Sequence, residues 1–130
     1  MRVPLIFPLL AWAALIFIVS SFSNPPESLG QEWPSYLAHV VEFGILGWFA
    51  TAFTLQAFGS HPQPAILLLT LAGCVIYGAS DEFHQSFVPG RDADLFDLLL
   101  DVVGSTVGIV AVAVSAGRAR GRREESAGGG

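Results

Sequence analysis

The segment Asp81-Glu82-Phe83-His84-Gln85-Ser86-Phe87-Val88-Pro89-Gly90-Arg91 puts two carboxylates, an imidazole, a carboxamide and a guanidinium at the end of an otherwise apolar stretch. Asp94, Asp97 and Asp101 follow in and just before the next apolar stretch, and His39 and Glu42 open an earlier one. Imidazole together with carboxylates is the ligand set of zinc or manganese, and carboxylates alone suit magnesium or calcium. His84 with Asp97 or Asp101 could equally form an acid–base pair for proton transfer to a substrate. A third possibility is a set of interhelical hydrogen bonds that clamps the chain together, at about 0.6 kcal/mol each in a membrane. His39, Glu42, Glu82, His84, Asp97 and Asp101 are therefore the candidate metal ligands. Of these, His84, Glu82, Asp97 and Asp101 are also the candidate catalytic groups. The spacing around Glu82 and His84 is not the His-Glu-x-x-His zinc-protease pattern.

The surroundings of these groups are those of a membrane protein. Of the 130 residues, 52% are hydrophobic and 13% charged, whereas an average soluble domain carries about 25% charged residues. Four apolar runs, Val3 to Phe22, Tyr36 to Phe58, Ala65 to Phe87 and Leu95 to Ala116, approach or exceed the roughly 20 helical residues that cross a bilayer. Backbone groups in lipid must bond within their own segment, so each run is expected to be a helix. A β-barrel is excluded because the runs are continuous rather than alternating. The expected fold is all-α, a four-helix transmembrane bundle over residues 1–117, followed by a disordered basic and glycine-rich tail over 118–130. The first run is longer than a signal-peptide core and is read as a retained helix.

Arginine placement orients the bundle. Arg118, Arg120, Arg122 and Arg123 follow the fourth run and Arg2 precedes the first, which puts both termini in the cytoplasm of a multi-pass protein of the bacterial plasma membrane. Glu27 and Glu32 then fall on an outer loop. The tail arginines would contact anionic headgroups. Cys74 stands alone in the third run and reads as a packing residue.

With that orientation the polar groups converge at the outer leaflet. His39 and Glu42 share a face at the outer end of the second helix, as do Asp81, His84 and Gln85 at the end of the third. Asp94, Asp97 and Asp101 form a stripe on the fourth, and Gly104 and Gly108 continue it inward. Small residues four apart let helix backbones approach closely, so this face should meet another helix. Glu42, Asp81, Glu82, Asp97 and Asp101 bring five negative charges against one arginine and two histidines. Crowding of that kind requires shared protons, a bound cation, or a positively charged part of a ligand. Ser20, Ser21 and Ser23 close the first helix beside this region, and Ser21, with His39, Glu42, Asp81, Gln85 and Arg91, is a candidate ligand-binding residue. Val88-Pro89-Gly90-Arg91 reads as a tight turn that aims Arg91 at the acids or at a lipid phosphate. No phosphate loop, nucleophile elbow or CxxC pair is present, and nucleic-acid binding has no support.

These residues resemble the pattern of the VanZ-like family of small bacterial membrane proteins. The likeness is carried by Ser20-Ser21-Phe22-Ser23, by His39, Glu42 and Leu46-Gly47, and above all by Ser80 to Arg91 with Asp97, Asp101, Gly104 and Gly108. It covers Leu5 to Val112. Two positions depart from the usual pattern. Tyr36 stands where many relatives have a lysine, and Phe43 where a tyrosine is common. The resemblance implies an envelope protein that engages a lipid-linked or lipoglycopeptide molecule, since the founding relative is tied to low-level teicoplanin resistance. The alternative is a metal-assisted membrane hydrolase or transferase acting on a lipid headgroup or lipid-linked phosphate. Membrane lipids are partners in either case, and a divalent metal is the one cofactor the residues suggest.

Overall fold

A computed structural model describes residues 4–23, 33–59 and 61–129. Its elements are α1 (Ile6–Ser20), α2 (Trp33–Phe58), α3 (Pro64–Gln85) and α4 (Leu95–Gly128), and no strand occurs among the described residues. The all-α, four-helix expectation therefore holds. Arg2, Glu27 and Glu32 lie outside the described residues.

Three helices, Tyr36–Phe58, Pro64–Gln85 and Leu95–Gly128, are long and apolar enough to cross a membrane. The first is shorter than the sequence suggests. α1 is a fully apolar helix of 15 residues, roughly 22 Å long, because it begins after Pro4 and ends at the serines. The lateral surface is what hydrocarbon requires. Leu69, Ile76 and Val107 are each more than 60% exposed, while the buried set includes Asp81, Glu82, Gln85, Asp101 and His39. This polarity is inverted relative to a soluble bundle.

Local signals set the ends of the helices. Pro64 opens α3 at a position where a missing N–H costs nothing. Asp94 caps α4, its side chain accepting from the Phe96 N–H at 2.8 Å. Gly90 takes φ 81° in the turn between α3 and α4, as the Pro-Gly reading requires. The tail departs from expectation. α4 continues as helix to Gly128 instead of ending near Ala116. Alanine, arginine and glutamate are good helix formers, and Arg120 bonds Glu124 one turn on at 2.6 Å.

The close packing lies between α2 and α4. A Cβ on Gly104 would meet Val40 and Gly44 backbone atoms, and one on Gly108 would meet Gly44 and Trp48 backbone atoms. A Cβ on Gly47 would strike the Ser105 backbone. The glycine stripe of α4 thus has a counterpart, Gly44 and Gly47, on α2. The contact lets two backbones touch, and it lies directly below the polar end of the bundle. α1 packs more loosely, through Ile16 and through Trp12 Nε1, which donates to the Glu42 carbonyl at 2.9 Å.

Candidate functional site

The polar residues meet at one end of the bundle, where α1 and α3 finish and α2 and α4 begin. They divide into two groups.

The deeper group is built by α2, α3 and α4. The glycine contact brings His39 of α2 against α4, where its Nδ1 lies 2.9 Å from Asp101 Oδ1 and its Nε2 3.7 Å from Asp97 Oδ2. Glu82 of α3 completes the group. One ligand atom from each of His39, Glu82 and Asp101 lies within 4.8 Å of the others, and all three residues are buried. The hydrogen bonds do not use up this set. Glu82 Oε2 accepts the Asp94 N–H at 2.9 Å, but Glu82 Oε1, Asp97 Oδ1 and Asp101 Oδ2 are buried with no hydrogen-bond partner. Buried carboxylate oxygens are rarely left unpartnered, because they lose their hydration for nothing. Gly78 keeps the adjacent space open. A Cβ there would come within 3.0 Å of Asp101 Oδ2 and 3.2 Å of Phe43.

The shallower group joins α1 to α3 and to the Pro-Gly turn. Asp81 Oδ1 accepts from Ser20 Oγ at 2.7 Å and Asp81 Oδ2 from Gln85 Nε2 at 2.9 Å. Gln85 Oε1 accepts from Arg91 at 3.1 Å, and Arg91 Nε donates to the Phe22 carbonyl at 3.0 Å. Arg91 forms no ion pair among the described residues. Its hydrogen-bond partners are neutral, and the carboxyl groups of Glu42 and Asp97 lie within reach of its charge. Ser21 Oγ lies 3.0 Å from His84 Nε2, and the His84 ring stacks on Phe17.

The candidate residues therefore occupy distinct positions. His39, Glu82, Asp97 and Asp101 are brought together. Asp81, Gln85, Arg91 and Ser21 are in the shallower group. His84 stands on its rim and does not join the potential metal ligands. The imidazole that pairs with Asp97 and Asp101 is His39, not His84. Glu42 lies between the groups, close enough to feel the charges of His39, Asp81, Asp101 and Arg91. Asp94 is a helix cap rather than a site residue. Gly44 and Gly78 are not among the residues singled out from the sequence, and Gly47 enters there only through the family resemblance. Gly44 and Gly47 follow His39 on α2, and Gly78 shares a stripe of α3 with Asp81, so their spacing carried a signal.

The donor set of one imidazole with two or three carboxylates fits a divalent ion of the manganese or zinc type. The unpartnered oxygens and the space held by Gly78 support that fit. Three helices long and apolar enough to cross a membrane, with buried ionisable residues gathered at one end of the bundle, mark a membrane protein. The family model described as VanZ/LLP1 matches residues 5–116. The chain belongs to the VanZ/LLP1 family. Comparison with curated proteins finds no match, and neither does comparison with solved structures.

Proposed function

We propose that this chain is a multi-pass protein of the bacterial plasma membrane whose polar end faces outward and engages a lipid-linked molecule. The form best supported is a metal-assisted hydrolase or transferase acting on a lipid headgroup or lipid-linked phosphate. The observation that carries it is the set of buried, unpartnered oxygens on Glu82, Asp97 and Asp101 beside His39. A structural clamp would have no reason to leave them without partners. The arginines after α4 support the outward orientation.

His39, Glu82 and Asp101, with Asp97 beside them, would hold the ion. A bound divalent ion supplies electrophilic assistance at a phosphoryl oxygen and an activated water. Asp101 Oδ1 lies 2.9 Å from His39 Nδ1, so an ion shared by these two residues would take the place of that hydrogen bond, while Nε2 faces Asp97 Oδ2 at 3.7 Å. Arg91 offers a guanidinium to a phosphate. His84, on the rim, is positioned to exchange a proton with a headgroup.

The test uses detergent-purified chain, metal analysis and phosphate release from phosphorylated lipids, with and without chelator. The expected result is a divalent ion bound in the wild type, lost in Asp101→Asn, with turnover that stops on chelation. Protein with no metal and no response to chelator would sink the metal-assisted form. The second reading is binding without chemistry, of a lipid-linked or lipoglycopeptide molecule in teicoplanin-type resistance or envelope homeostasis. The fully bonded shallower group favours it, being built to hold shape. Teicoplanin susceptibility of a host expressing wild type or Arg91→Gln, at equal membrane levels, tests that reading. Unchanged susceptibility in both would remove the resistance role.

A further inference from the structure

One stripe of α3 links two features that the polar site does not explain. At its outer end Gln85 holds Arg91, which forms no ion pair within 4.0 Å among the described residues. One turn down, Asp81 bonds Ser20 of α1. A further turn down, Tyr77 Oη donates to the Ala13 carbonyl at 2.5 Å. Below that bridge a groove of about 300 Å³ opens between α1, α2 and α3. Ala13, Leu46, Ala50, Leu69, Gly73 and Tyr77 are among its lining residues. Thr54 and Thr70, with their hydroxyls 3.3 Å apart, lie at its inner end.

The groove exists because three helices each present a small residue to the same space: Ala13, Ala50 and Gly73. A Cβ built on Gly73 meets nothing within 4 Å. Close-packed interiors do not leave such space empty, since the lining atoms lose their dispersion contacts. Every lining residue belongs to one of three apolar helices, two of them long enough to cross a membrane, so in a bilayer the filling material would be hydrocarbon rather than water. From Tyr77 to Gln85 is eight residues, roughly 12 Å of helix. A molecule with an anionic head on Arg91 and a chain descending along the α1–α3 seam would reach the groove.

We infer that this seam holds one anionic lipid, its phosphate on Arg91 and its hydrocarbon chain in the groove. The inference rests on the reading of the outer end as a lipid-phosphate site and adds where the tail goes. It assigns selection of the head to Arg91 and selection of the chain to the apolar groove below Tyr77. Both parts of the lipid are needed: the Arg91 guanidinium, hydrogen-bonded only to neutral groups, selects the head, and the groove selects an apolar chain over a headgroup alone.

The full chain in nanodiscs provides the test. One set is doped with phosphatidic acid bearing a diazirine in its acyl chain, and a second with phosphatidylcholine bearing the same chain. Cross-links are mapped by mass spectrometry. Phosphatidic acid should label Gly73, Cys74 and Tyr77 several-fold more than phosphatidylcholine does, and more than either lipid labels outward-facing Ile76 and Leu99. Gly73→Leu fills the groove without displacing protein atoms and should abolish the excess labelling. Arg91→Gln should remove its preference for phosphatidic acid. Equal labelling by the two lipids would mean bulk lipid and would overturn the inference. So would absence of groove labelling, which would mean that another protein surface covers the groove. Head-selective labelling in a protein that binds no metal and turns nothing over would refute the metal-assisted reading and leave this lipid site intact. Metal-dependent turnover with head-indifferent labelling would do the reverse.

Discussion

Two polar groups lie at the same end of this bundle, and they are built to opposite standards. In the shallower group the hydrogen bonds run on without a break: Ser20 bonds Asp81, Asp81 bonds Gln85, Gln85 bonds Arg91, and Arg91 bonds the Phe22 carbonyl. In the deeper group three carboxylates each keep one buried oxygen with no partner. The first arrangement ties α1 and the Pro-Gly turn to α3. The second carries a desolvation cost that a shared proton, a cation or a ligand would offset. Bonded and incompletely bonded carboxylates therefore lie side by side, made from the same residue types. Residue type does not separate them, but hydrogen-bond completeness does.

Substitutions sharpen or break that contrast. The largest effect is expected at the deeper group. Asp101→Asn keeps the shape, removes a charge and alters the partner of His39, and should weaken divalent-ion binding by roughly 100-fold while the protein still inserts, as titration calorimetry would show. A loss of folded protein with unchanged ion binding would make this group a clamp instead. Next comes the contact that creates it. Gly108→Val forces a side chain into the Gly44 and Trp48 backbone and should cost about 1–3 kcal/mol of stability. A thermal melt in detergent would show it, together with weaker ion binding, because the two backbones carry His39 and Asp101. Ser20→Ala, in the shallower group, should cost only about 0.6 kcal/mol and leave ion affinity unchanged. If it weakened ion binding as strongly as Asp101→Asn, the two groups would be one. Smallest of all, Arg120→Ala removes an exposed pair with Glu124 and should shift stability by less than about 0.5 kcal/mol.

Much of the fold was legible from composition and run length. Continuous apolar runs require helices in lipid, and the Pro-Gly turn and the Asp94 region mark real boundaries. The length of α1 and the helical tail were misjudged for local reasons. Hydropathy counts apolar residues and does not see that Pro4 and the serines bracket a shorter helix. A charged, glycine-bearing tail looks disordered until the arginine and glutamate spacing is read as helical. The site was legible as a list, since every residue of both groups was named from the sequence. Its partition was not. Asp81 and Glu82 are chain neighbours, yet they point into different groups, because successive helical positions are about 100° apart.

Periodicity and polarity alone established that acids, imidazoles and glycines would share one end of a helical bundle. Lipid permits no other economical place for them. Which imidazole meets which carboxylate was decided only when α2 and α4 closed on their glycines, since a contact between residues some 60 positions apart depends on how two helices cross. The same packing left Glu82, Asp97 and Asp101 each with an oxygen unanswered. Which partners a carboxylate lacks is a property of three-dimensional surroundings that no spacing along the chain records.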